Sequence, residues 1–527
     1  MNLSQIKLFL NHQSSLMEVK PLIFGILITT SVILIWKAMK LFWLNPKKIE
    51  RCLRKQGIKG NPYKPFLGDI KELVKLTKNS MLKPINFSDD TLPRILAFVH
   101  HTIQIHGKNC FAWVGPTPWL IVSDVDKIKE IFANYEDFRK PDQAMSKIVS
   151  VGLFTKEGDI WAKHRAIINP AFRMDKLKNV CGTMHESCSI MMNSWEEIAI
   201  SKDGTSEIDV WPFLENLSGD LISRAAFGSS YQQGKIIFDL QREYMELALS
   251  LQATFYIPGW SYIPTKTNRR AKEIIRQIRE TLTRMIESRK AEMEEGGNTK
   301  DDLLGILLES NMSEKGRGLT TYEVAQECQL FYLAGSETTS SLLAWTLILL
   351  SKHPIWQDRA RAEVLQEFGK DGEPTFDGLN RLKTVTMILN EVLRLYPPGY
   401  MLMRKVYTDV QLKELLIPAG TEIVVPLCVV HQDSSLWGED SKDFNPDRFA
   451  EGISEATKGQ PIYFPFSMGP RICIGKNFAL LEAKLVLTMI LQRFSFELSP
   501  SYTHAPYAIM ITKPQYGANL VLSKLYS

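Results

Sequence analysis

The 527-residue sequence predicts a mainly α-helical body behind one N-terminal transmembrane helix. Three stretches carry that prediction. Pro21 to Trp43 is a long apolar run, and residues 21–36 hold no charge. Thr320-Thr-Tyr-Glu323 has the pattern of a capping box and opens about thirty strongly apolar residues, which end before His353-Pro354. Residues 172–310 read as mostly amphipathic helix with polar loops.

About 20 apolar residues cross a bilayer core, so 21–43 fits a transmembrane helix once Lys37 and Lys40 snorkel. A cleaved signal peptide is the alternative. The length of the run and the lack of a small-x-small site after it disfavour that. Lys7 and Lys20 precede the span, whereas Lys37, Lys40, Lys47, Lys48, Arg51, Arg54, Lys55 and Lys59 follow it. The positive-inside rule then places the body in the cytosol and residues 1–20 in the lumen. Residues 44–62 read as a basic linker with a Gly/Pro hinge, and 63–527 as the body.

Hydrophobic residues at 45% and charged residues at 23% describe an ordinary globular chain. A net charge of +5 is too small and dispersed for a nucleic-acid partner. Seven scattered cysteines with no C-x-x-C pair point to neither a zinc site nor a disulfide framework. There is no G-x-G-x-x-G after a strand and no P-loop. Any electrons this chain uses come from another protein.

Chemistry concentrates at Phe466-Ser-Met-Gly469-Pro-Arg471-Ile-Cys473-Ile-Gly475, just before a helix that starts at Lys476. Helix N-termini offer unpaired N–H groups and partial positive charge, which favour a thiolate. Gly469 and Gly475 clear space for close approach to the backbone. Arg471 supplies a cation for an anionic group on whatever the sulfur holds. The set suits an axial thiolate on haem iron with Arg471 on a propionate. A buried free cysteine is the bland alternative.

The F-x-x-G-x-R-x-C-x-G spacing resembles that of the cytochrome P450 haem-thiolate monooxygenases. That resemblance implies the helix-rich triangular prism with small β-sheets, haem b, and Cys473 as iron ligand. It implies further that Trp161 and Arg165, four apart on one helix face, bind a haem propionate, and that Arg404 does so too. Within the long apolar helix, Ala334-Gly335-Ser-Glu337-Thr338-Thr339 matches the family's oxygen-binding pattern. There a widened groove seats O₂, Thr338 bonds the distal oxygen, and Glu337 relays protons. Without the resemblance, a kink with Thr338 bonded back to its own helix accounts for the same residues. Glu391, Arg394 and Arg448 correspond to a buried structural network behind the haem, with Asp447 where Glu is more usual.

Local stretches such as Trp161-Ala-Lys-His-Arg-Ala-Ile-Ile-Asn-Pro and Asp302-Asp-Leu-Leu-Gly are similar to plant cytochrome P450 family 72. That similarity implies an endoplasmic-reticulum enzyme taking electrons from NADPH–cytochrome P450 reductase. It also implies a terpenoid substrate: triterpenoid, iridoid or gibberellin type. Brassinosteroid, cytokinin or fatty-acid hydroxylation in the same clan is an alternative, as are a haem-thiolate isomerase and a non-catalytic haem sensor. By family position the pocket draws on 141–155, 240–260, the Ala334 region, 398–403 and 507–512. His431-Gln432-Asp433, where many relatives have His-His-Asp, and Gly399-Tyr400 depart from the pattern.

Smaller elements are expected too. A helix spans Thr91 to His106, and a hairpin joins Phe111–Val114 to Trp119–Val122. Asp124 opens a helix of about fourteen residues, and Tyr507–Thr512 and Leu520–Ser523 form short β runs.

Overall fold

The computed structural model describes residues 24–141, 152–200, 204–228, 231–251, 263–296, 302–312 and 318–526. The expected lumenal residues and parts of two expected pocket segments, 142–151 and 252–260, lie outside them.

Phe24–Lys55 is one helix, long and apolar enough to cross a membrane, with Phe24, Val32 and Ile35 exposed on its surface. Its turns widen to π-helix over Lys40–Leu44. The basic stretch expected as a linker continues the helix to Lys55, where Glu50 ties Lys47 at 2.8 Å and Arg54 at 3.2 Å. The chain then turns at Gly57, whose φ of +81° suits glycine. Tyr63 donates its hydroxyl to the Phe42 carbonyl at 2.7 Å, so the helix is fastened to the body.

The body is organised around the Thr321–Lys352 helix. At 1.5 Å per residue it runs about 48 Å. The Thr320 hydroxyl accepts from the Glu323 N–H, and the Glu323 carboxylate accepts from the Thr320 N–H at 2.8 Å, so both halves of the capping box form. Every residue from Thr339 to Leu350 is buried. Each such Leu or Ile contributes roughly 1.5–3 kcal/mol of burial. This second long apolar helix is therefore a core element. The helices Trp211–Phe227, Lys266–Glu294 and Lys476–Arg493 pack around it.

Beside the helices lies a mixed five-stranded sheet in the order Lys59–Gly60, Cys110–Val114, Thr117–Ile121, Glu422–Val425, Leu402–Lys405. The expected hairpin forms, but with a shorter turn: Val114 pairs with Thr117 and Trp113 with Pro118, so Thr117 and Pro118 belong to the second strand. Thr205–Asp209, Asn519–Lys524 and Phe494–Leu498 form a second, antiparallel sheet. Its outer two strands were not legible as strands.

Three expectations change. The Thr91–His106 helix is two helices, Leu92–Ile95 and Ala97–His106, broken at Leu96. The helix capped by Asp124 stops at Ala133, because Asn134 leaves the helix and accepts from the Asp137 N–H at 3.2 Å in a turn. Tyr507–Thr512 is not one strand, since Pro506–Ala508 folds back on Thr512–Pro514 as a hairpin.

Glu391 and Arg394 are both fully buried, with two hydrogen bonds of 2.7 Å between them. Arg394 also donates to the His431 carbonyl at 2.8 Å and to the Ser441 carbonyl. Arg448 joins more loosely, 3.7 Å from Glu391, and pairs mainly with Asp440 at 2.8 Å. Asp447, by contrast, meets Arg359 at the surface. Gln432 is structural, donating to the Leu395 carbonyl at 3.0 Å from a buried position. Glu391→Ala strands a buried guanidinium and should cost about 3–5 kcal/mol, whereas the exposed Asp447→Ala should cost under about 1 kcal/mol. Thermal melting of the two variants beside wild type checks the contrast.

Candidate active site around Cys473

The Cys473 loop is held from both sides. Its own N–H donates to the Phe466 carbonyl at 2.9 Å, and Ser467 takes a left-handed φ of +62° to close the turn. Gly469 passes so near the Phe132 carbonyl that a Cβ there would lie 2.4 Å from its oxygen. Gly475 caps the Lys476–Arg493 helix, and a Cβ on it would meet only the Cys473 sulfur, at 4.0 Å. Arg165 reaches across from the Gly158–Ile168 helix and donates to the Ile472 carbonyl at 3.0 Å. One turn earlier, the Trp161 ring lies 4.3 Å below the Arg471 guanidinium. The predicted pair thus shares a face and grips the loop.

Cys473 is solvent-accessible although the chain around it is largely packed. Desolvation by the surrounding protein pushes the thiol above its usual range. The Gly475 and Lys476 N–H groups, Arg165 and Lys140 pull it down by less. The helix N-terminus favours the thiolate, as expected from sequence, but by less than burial opposes it. A coordinated metal ion decides such a contest outright.

Cations crowd this loop. Burial and the nearby Arg471 bring Arg404 down to about 10. Lys140 falls well below its usual value through burial and then Arg404 and Arg471. Arg471 is itself lowered by burial, against the pull of Glu157. Glu157 pairs with Arg471 and accepts from the Lys140 N–H at 3.2 Å. Nη1 of Arg471 is buried without a partner. Four cations, one carboxylate and an orphaned donor fit a group carrying further carboxylates. Among the described residues no cluster of three His, Cys, Asp or Glu could hold a bare metal. A haem, with one protein ligand to iron and two carboxylates, meets both conditions. Lys140 escaped the sequence reading; the only signal was its place in Phe138-Arg-Lys-Pro141 near Arg404 in space.

The oxygen-side residues sit on the central helix. Ala334 is exposed between half-buried neighbours, and Thr338 lies one turn on, its hydroxyl donating to the Ala334 carbonyl at 2.8 Å. The helix is unbroken through Gly335, where a widened groove was expected. Gly335 serves close packing instead, since a Cβ would lie 2.5 Å from Cγ1 of Ile222. Glu337 points to another face, with Lys513 at 2.5 Å and Glu215 a further 3.7 Å from the lysine. Burial disfavours the Lys513 charge, but these two carboxylates offset it and hold the ammonium above its usual value. Thr338 and Glu337 are therefore adjacent in sequence but not on one face.

The family model for cytochrome P450 matches residues 93–520. This chain belongs to the cytochrome P450 family and is a cytochrome P450 monooxygenase. It is 52% identical over 93% of its length to cytochrome P450 72A397 of Kalopanax septemlobus, covering 95% of that protein. It is likewise 52% identical to the 11-oxo-beta-amyrin 30-oxidase of Glycyrrhiza uralensis, over 92% of this chain and 94% of the relative. Cytochrome P450 72A13 of Arabidopsis thaliana is 48% identical, over 93% and 96%.

Beneath Thr338 the core holds a carboxyl that sequence reading passed over. Glu482 is fully buried beside Ser218 and Thr339, and burial pushes it up to about 8. The folded state keeps a proton that the unfolded state releases near the ordinary value of 4.5. Its contribution to stability is therefore complete below that value and is lost as pH rises towards about 8. Glu482→Gln should flatten this part of the profile, checked by melting temperature against pH for both proteins.

Proposed function

We propose that this monooxygenase oxidises an apolar plant terpenoid, most of all a triterpenoid. The observation that carries the reading is its 52% identity to a β-amyrin-derived triterpenoid oxidase over nearly the full chain. The expected segments 398–403 and 507–512 meet at a cleft lined by Trp119, Tyr400, Met401, Ile509 and Met510, with Arg94 also on its wall; its lining includes neither the Cys473 loop nor Ala334 and Thr338. Tyr400 ties those segments by donating to the Ile509 carbonyl at 3.2 Å.

Haem b bound at Cys473 supplies O₂ activation and transfer of one oxygen atom to the substrate. The protein's residues do the rest. Cys473 would ligate the iron, and Trp161, Arg165, Arg404 and Arg471, with Lys140, would hold the haem carboxylates. Phe466 and Gly475 shape the cysteine loop that would receive the haem, and the small Ala334 would leave room on the central-helix side, with Gly335 packed against Ile222 behind it. The Thr338 hydroxyl donates to the Ala334 carbonyl and keeps its oxygen lone pairs to accept from a proton-bearing partner. Glu337 must part from Lys513 before it can pass one on. Electrons come from NADPH through a separate cytochrome P450 reductase docked on the Cys473 side. The N-terminal helix anchors the protein in the endoplasmic-reticulum membrane with the body in the cytosol.

Full-length protein with a plant reductase and NADPH should convert an oleanane-type triterpene to a product one oxygen atom heavier. Conversion of only fatty acids or brassinosteroids would transfer the assignment to those classes, and no NADPH consumption with any apolar compound would favour a sensor. Thr338→Ala should lower product formed per NADPH several-fold while NADPH consumption falls less, measured by paired product and cofactor assays.

A further inference from the structure

We propose that His164 and Glu327 are positioning residues that set the spacing between the two walls of the cofactor site; the proposal rests on the haem-thiolate reading above. Both side chains are wholly buried, and His164 Nδ1 lies 2.5 Å from a Glu327 carboxylate oxygen. A hydrogen bond joins the two side chains. His164 stands between Trp161 and Arg165 on the helix that grips the Cys473 loop. Glu327 belongs to the central helix. At 100° per residue, Glu323, Glu327, Ala334 and Thr338 fall within about 60° of arc on that helix. The pair thus joins the wall that holds the cysteine loop to the face that carries Ala334 and Thr338.

The surroundings leave little slack. The second Glu327 oxygen accepts from the Leu153 N–H at 2.9 Å. Gly152, at φ +67°, approaches so closely that a Cβ would lie 2.5 Å from that oxygen. Nε2 of His164 is buried without a hydrogen-bond partner, and the nearest carboxylate oxygen is on Glu323, 3.5 Å away. Lys163 fastens the same helix a third time, donating to the Gly318 carbonyl at 2.6 Å. An apolar pair of equal volume would serve stability as well as a buried ionic one. What the polar pair adds is direction: a short, fully desolvated hydrogen bond tolerates one spacing.

The test uses full-length protein and compares wild type, Glu327→Gln, the double variant His164→Gln with Glu327→Gln, and Glu363→Gln. Glu363 accepts from the Thr384 and Val385 N–H groups at a helix start away from this pair and serves as a stability control. Readouts are melting temperature, the share of the reduced CO complex with a thiolate-type Soret band, and the rate of haem transfer to apomyoglobin. Glu327→Gln should lose a large share of the thiolate band and release haem several-fold faster, beyond the control at equal melting loss. The double variant, which restores a neutral hydrogen bond, should recover most of both and is compared directly with wild type should the single variant not fold. Wild-type band and haem release in Glu327→Gln, or no recovery in the double variant, would overturn the proposal. Absence of the band in wild type would overturn the underlying haem-thiolate reading instead, and shows without any variant.

Discussion

Everything at this site depends on a loop held open at one sulfur. The Cys473 N–H is spent on Phe466 and the Ile472 carbonyl on Arg165, so the loop's polar backbone is satisfied within the protein. The thiol is left accessible in a setting that penalises its charge. Around it Lys140, Arg165, Arg404 and Arg471 gather, with Glu157 the one carboxylate among the described residues to pair with Arg471. A protein does not set four cations around one carboxylate, with a buried donor left over, for its own stability. The arrangement makes sense as half of a complex whose other half brings iron for the sulfur and carboxylates for the cations.

The central helix supplies the other wall and does two separate things on two faces. One face carries Ala334 and Thr338 into the accessible gap, with Glu327 and its histidine partner two turns earlier. The next carries Glu337 into a carboxylate–lysine–carboxylate group with Lys513 and Glu215. The Thr338 hydroxyl donates to its own helix and Glu337 pairs with Lys513, so the two residues proposed to handle protons face different neighbours.

Much of this was legible in sequence where a residue's role depends on neighbours close in the chain. The capping box at Thr320, the hairpin at Gly115, the Trp161–Arg165 face and the cysteine loop all follow from local spacing. The Glu391–Arg394 pair did too, although Arg448 proves to lean on Asp440. What was missed depends on meetings between distant segments. Lys140 matters because Arg404 and Arg471 lie beside it. His164 and Glu327 are 163 positions apart. Gly335 read as a local defect until Ile222 occupied the space its side chain would need. Glu482 has no signal in its own stretch of sequence, and burial beside Ser218 and Thr339 is what raises its pKa.

The reduced, CO-bound difference spectrum of the purified full-length protein beside Cys473→Ser tests the central claim most directly. A red-shifted thiolate Soret band in wild type, lost in the variant while the fold is kept, is the predicted result. A folded wild-type protein without that band, or a variant that keeps it, would contradict the account.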